Sequence, residues 1–246
     1  MAKVEVGQKV FVAQSRLSLR RARPNSIVEC EVVGTRDRSA IVSLPGERDQ
    51  EVATSLLLLN AQQILVLSIG DLSTERTLIE PLTKSTLQFL RLLLTDDFVT
   101  QYRLRSVNEF SQVWAKEHAL YNWILVIGHG SKQSLSFAVD GSVPPERFRQ
   151  VMEAHPPKHP VSILSLACET GCADFAKHVA ESAQIARFIA PFHSVHGAVA
   201  SHFAQTFFTN HFLEGYTAWK SFRRSRSGTP DGTRFRYWDA DGLHTP

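Results

Sequence analysis

Cysteine is scarce in this chain: Cys30, Cys168 and Cys172 are all there is in 246 residues. An odd, low count argues against a disulfide framework and for a reducing compartment, so a cytoplasmic location is expected. No run of about 18 apolar residues occurs, which argues against a membrane span. The opening MAKVEVGQKV has no apolar signal core, so export is not expected. Neither sign of charge dominates: 27 basic against 24 acidic residues leave a formal +3, too little to imply a nucleic-acid partner. Two basic runs, residues 16–24 and 222–228, read as solvated flanks. The dinucleotide-binding pattern is missing, because Gly128-His129-Gly130 has no third glycine at the required spacing. No internal repeat or extended low-complexity segment is present.

What is there is a soluble-type composition, 43% hydrophobic and 21% charged, on a chain long enough for a sizeable core. Residues 1–58 hold short alternating segments broken by Gly, Pro, Asn and Asp, which predicts a small β-barrel or open sheet. Cys30, between Glu29 and Glu31, is expected to face that small core. From residue 59 the rhythm changes. Buried-type strands are expected at 62–72 (ending at Gly70-Asp71), 102–107, 122–131, 160–171 and 186–192, with a hairpin or edge strand at 134–142. Helices are expected between them at 83–98, 108–120 (capped by Asn108), 144–155, 172–183 and 194–215. Strands alternating with helices predict an α/β fold: a mostly parallel sheet sandwiched by helices, preceded by the small β domain. The main domain would span 59–220. Residues 221–246 lack periodicity and read as an irregular tail that wraps back through Phe235, Tyr237 and Trp238.

Ligands of an open parallel sheet gather at the carboxyl ends of its strands. Two inner strands end there in chemically useful residues, His129 in ILVIGHGS and Cys168 in ILSLACETG. If the strands are neighbours, the two side chains project from one edge. A cysteine attacks as its thiolate, and an imidazole can take the thiol proton and later protonate a leaving amine. Acyl transfer also needs donors for an oxyanion, and the Gly130 and Cys168 amides are the candidates.

GHGS and LSLACETG together resemble the caspase-like (clan CD) cysteine peptidases, in particular their CHAT-type branch. ACETG at 167–171 and the preceding His129-Gly130 carry the resemblance, which extends over about residues 60–215, FIAPFHSVHGAVASHFAQTFF included. It implies a His129–Cys168 dyad in a cysteine endopeptidase acting on protein or peptide substrates, with no cofactor. It also implies a regulated effector in a bacterial signalling or defence system, gated by an activating protein partner that docks on residues 1–58. Leu166 stands where caspases that cut after aspartate carry glutamine, so that specificity does not transfer. Asp140, Glu169 and Asp174 are candidates to line a pocket for a basic side chain, although turn, motif and helix-surface roles also suit them. The other readings are a catalytically silent interaction module of the same fold, and a zinc-stabilised domain using Cys168, Cys172, His193 and His196.

Overall fold

The computed structural model describes residues 4–21, 25–60, 62–70, 75–94, 96–156 and 159–245. Asp71 of the expected turn and residues 22–24 of the first basic run lie outside these.

The first four strands, β1 (Lys9–Ala13), β2 (Ile27–Thr35), β3 (Ser39–Ser43) and β4 (Gln50–Ala53), form an antiparallel sheet in sequence order. Alternation sets its inner face: Val10, Val12, Cys30, Val32, Ala40 and Val42 share one buried cluster. Burial pushes the Cys30 thiol up to about 12, which keeps it protonated and inert. The opposite face docks on the main body. Phe11 meets Phe98 edge to face at 5.6 Å, and the Ser26 hydroxyl donates to the Leu93 carbonyl at 2.7 Å.

The main body follows as β5 (Gln62–Ile69), α1 (Glu80–Leu94), β6 (Val99–Leu104), α2 (Val107–Glu117), β7 (Tyr121–Ile127), the hairpin β8 (Leu135–Phe137) and β9 (Gly141–Val143), and α3 (Pro145–Glu153). Then come β10 (Val161–Ser165), α4 (Ala173–Ala180), β11 (Ile185–Pro191), α5 (Gly197–Phe208), α6 (Ala218–Gly228), β12 (Phe235–Asp239) and β13 (Gly242–His244). The large sheet runs β13-β12-β11-β10-β7-β5-β6. Its strands β6, β5, β7, β10 and β11 are parallel; β12 and β13 add antiparallel to the edge. Along β5 the side chains alternate between two cores. Ile64 and Val66 join the layer under α1, α5 and α6, and Leu65, Leu67 and Ile69 join the layer under α2, α3 and α4. A sheet buried on both faces needs apolar side chains on both, which is why these strands read as continuous hydrophobic runs.

Two expectations are corrected. Ser106, not Asn108, caps α2: its hydroxyl accepts from the Glu109 amide at 3.1 Å, and Glu109 reaches back to the Arg105 amide at 2.6 Å. The closing segment is not irregular. Residues 218–228 form α6, and Phe235, Tyr237 and Trp238 are buried in β12. The buried face of α6 is Ala218, Ser221, Phe222 and Ser225. The two serines bond to carbonyls of their own chain, Ser225 to Ser221 at 2.8 Å and Ser221 to Tyr216 at 3.4 Å. Serines on a buried face do not read as apolar, so the inner side of α6 is marked in sequence only by Ala218 and Phe222.

Candidate functional site

β7 and β10 are parallel neighbours, with Ser165 opposite Val126. The pairing runs one step further, the Leu166 amide donating to the Val126 carbonyl at 2.8 Å. Both strands therefore release their next residues at one edge, beside the switch between β5 and β7 where the strand order reverses.

After β7 the backbone of His129 is fixed by β8: the Ser136 amide donates to the His129 carbonyl at 3.0 Å. Gly130 then runs against the cysteine loop. A Cβ on Gly130 would lie 2.7 Å from the Cys168 carbonyl oxygen and 2.7 Å from Cγ2 of Thr170. Only hydrogen fits in that space, so glycine here is what lets the two strand-end loops touch.

Each residue of ACETG has a local task. Ala167 is buried, packed beside Gly130. Cys168 is half-buried. Glu169 adopts φ 61°, a left-handed conformation that a residue with a Cβ takes at a cost of about 1 kcal/mol or more. Thr170 is buried; its hydroxyl donates to the Ala167 carbonyl at 2.8 Å and bonds Ser165 Oγ at 3.0 Å. Gly171 presses on β11, donating to the Pro191 carbonyl at 2.8 Å, and its own carbonyl accepts from Trp238 Nε1 at 3.1 Å. The motif is thus a strained turn pinned at both ends, with the cysteine at its outer part. Backbone strain of this kind collects at functional sites.

The contacts of Cys168 Sγ come from the loop between β11 and α5. The Val195 amide approaches at 3.5 Å and the Ser194 hydroxyl at 3.8 Å, while the thiol faces the Val195 carbonyl at 3.7 Å. His129 is not among these partners. Its Nε2 is buried and has no hydrogen-bond partner. The structure therefore brings the two loops together through Gly130, and does not join imidazole and thiol by a hydrogen bond. The Gly130 and Cys168 amides donate no backbone hydrogen bond among the described residues.

The remaining candidates fall on different elements. Asp140, in the β8–β9 turn, accepts from the Val107 amide at 2.8 Å with one oxygen and faces Arg147 at 3.8 Å with the other, so it ties the start of α2 to α3. Asp174 is exposed in the first turn of α4, and Glu169 holds the strained position already described. Cys172 turns its thiol to the Phe192 carbonyl at 3.3 Å, and burial raises its pKa. His196 caps α5, its Nδ1 accepting from the Ala198 amide at 3.2 Å. Among the described residues, metal-ligand atoms converge at Asp239, Asp241 and His244 and not at the two cysteines with His193 and His196. Hydrogen bonding accounts for that group: Asp239 Oδ1 accepts from the Asp241 amide at 2.9 Å and lies 2.7 Å from His244 Nε2.

Sequence reasoning missed the clamp on the Cys168 loop. Arg234 Nη1 donates to the Ser194 carbonyl at 3.0 Å, the Arg234 carbonyl accepts from the Phe192 amide at 2.9 Å, and the Arg236 guanidinium lies 3.8 Å from the Phe192 ring centroid. These arginines precede and enter β12, in the stretch that shows no period. Arg234→Ala is expected to loosen residues 192–196. Their amide hydrogen exchange should speed up roughly fivefold, the equivalent of one hydrogen bond of about 1 kcal/mol. Unchanged exchange there would refute the clamp.

No protein-family model matches the chain, and no curated protein matches it. Among solved structures it is similar to the inactive zymogen of a C11 protease from Parabacteroides distasonis. The identity is 12% and the TM-score 0.48, over 74% of this chain and 62% of that one. The chain thus spans less than two thirds of that protein's length.

Proposed function

We propose that the chain is a cysteine endopeptidase of caspase-like, CHAT type, with Cys168 as nucleophile and His129 as general base and acid. The observation that carries this reading is the close approach of Gly130 to the Cys168 carbonyl, which seats a free thiol and an unpartnered imidazole on touching loops at the carboxyl edge of one sheet. In the reaction, His129 takes the thiol proton and the thiolate adds to the scissile carbonyl. The Gly130 and Cys168 amides donate to the resulting oxyanion. His129 returns the proton to the leaving amine as the C–N bond breaks, and water then hydrolyses the thioester. The missing imidazole–thiol bond suits a resting enzyme, since such bonds tighten when substrate binds.

On this reading the protein acts in the cytoplasm as a regulated effector of a bacterial signalling or defence system. A protein partner that engages the N-terminal sheet would gate it. Glu169 is the acidic candidate nearest the nucleophile in sequence. The second reading is a silent module of the same fold, favoured by the sulfur's contacts with Ser194 and Val195 in place of His129.

Alkylation of the three cysteines, read by peptide mass spectrometry in wild type and His129→Ala, separates the two. An assembled dyad labels Cys168 at neutral pH at least tenfold faster than Cys172, and His129→Ala removes the advantage. Equal labelling of Cys168 in both proteins speaks for the silent module.

A further inference from the structure

At the edge of the sheet opposite Cys168, a cavity of about 780 Å³ lies between residues 54–60 and the amino ends of β7, β10 and β11. Its lining includes Trp123, His159, Arg187, His211, Trp219 and Tyr237, and no aspartate or glutamate. Its volume is that of a site for a small organic molecule, and such sites favour the seam between two structural units.

Arg187 gives the cavity its charge. Arg187 is half-buried; its guanidinium carbon lies 5.9 Å from the Trp123 ring centroid, its Nε is shut from water with no hydrogen-bond partner, and its side chain also hydrogen-bonds that of Tyr237. Among the described residues Arg187 has no carboxylate partner. A guanidinium is a permanent charge, and a half-buried one with no carboxylate beside it is open to an anion entering the cavity. Its neighbours do not supply the charge. Burial raises the pKa of the Tyr237 phenol and pushes the His211 imidazole down to about 4, so both are neutral at pH 7. His211 Nδ1 bonds the Tyr216 carbonyl at 2.9 Å; a carbonyl only accepts, so Nδ1 carries the proton.

The surplus continues along α6. A second cavity of about 590 Å³ shares Trp219 with the first and is lined by Lys220, Arg223, Arg224 and Arg226, again without a carboxylate. Arg226 Nε is also buried and unpartnered. Around the Tyr216 ring stand Arg16 at 5.0 Å, Lys220 at 3.9 Å and Arg224 at 5.0 Å. Like charges gathered this closely repel one another until an anion joins them. A single carboxylate would balance Arg187 alone. A phosphate ester carries a charge of about −1.5 to −2 and offers three acceptor oxygens, which matches a half-buried guanidinium near a cationic helix. The half-buried indole of Trp219 suits a planar organic body.

We propose that this cavity binds a small phosphate-bearing organic molecule, its phosphate on Arg187 and its body against Trp219. The proposal does not depend on the peptidase reading.

The test titrates the full chain with inorganic phosphate, phenyl phosphate, adenosine 5′-monophosphate and citrate, following tryptophan fluorescence and Tm. A phosphate ester should give a saturable fluorescence change. At tenfold excess over its Kd it should raise Tm by about 3–6 °C. Arg187→Gln should weaken binding at least tenfold, while Arg36→Gln, on the far small sheet, should leave it unchanged. If Arg187→Gln fails to fold, Arg187→Lys, which keeps the charge but loses the planar fork, should bind roughly tenfold more weakly. Inorganic phosphate binding as tightly as the esters would remove the organic body from the proposal. Citrate binding equally well would remove the phosphate. Binding unaffected by either Arg187 variant, or no saturable response to millimolar esters, would overturn the proposal.

Discussion

Cys168→Ala will abolish peptide-bond hydrolysis while leaving the fold in place. Removing a nucleophile from a coupled pair leaves only oxyanion donors and binding, a loss of about a thousandfold or more. The stability cost should be under about 1 kcal/mol, because the half-buried thiol gives up only long contacts of 3.5–3.8 Å to Val195 and Ser194. The measurement is digestion of a proteome-derived peptide mixture, with cleaved termini counted by mass spectrometry, beside a thermal melt. Cys172→Ala is the control. Its thiol turns to the Phe192 carbonyl and has no place in the chemistry, so activity should survive. Cleavage that persists in Cys168→Ala removes the nucleophile assignment. Wild-type protein without cleavage in the presence of any candidate activator moves the balance to the silent module.

Gly171→Ala should cost more stability than any change of one methyl group in the apolar core. The added Cβ would stand 2.3 Å from the Ala190 carbonyl oxygen and 2.9 Å from two backbone carbons of β11. Backbone in the middle of a sheet cannot step aside as a side chain can. The loop must lift, and the Gly171 bonds to Pro191 and Trp238 go with it. Overpacking and two lost hydrogen bonds sum to about 3 kcal/mol or more, a fall in Tm of about 6–12 °C. Cys168 lies three residues earlier on the same turn, so its labelling should also lose selectivity over Cys172. A melt within a degree or two of wild type would show that the loop has room the structure does not grant it.

The parts legible in sequence follow from local physics. Strands buried on both faces must be apolar throughout, so β5, β7 and β10 announce themselves, and strands alternating with helices imply a parallel sheet. His129 and Cys168 were readable because each ends such a strand in small and polar residues. Asn108 against Ser106 was decided by one residue's φ/ψ, which composition does not encode. The closing segment was harder to read because two of the four buried positions of α6 are serines, satisfied by carbonyls of their own chain, so its apolar face is marked only by Ala218 and Phe222.

By itself, then, the sequence determined the fold class and the two strands that release His129 and Cys168 at one sheet edge, since these depend on periodicity and short-range spacing. The tertiary structure decided which loop reaches the sulfur, that Arg234 and Arg236 hold that loop, that Gly130 and Gly171 allow three segments to approach within contact distance, and that half-buried Arg187 has no carboxylate beside it among the described residues. Those facts join residues far apart in the chain. Only the packed chain sets the distance between them, and contact and electrostatic forces depend on that distance.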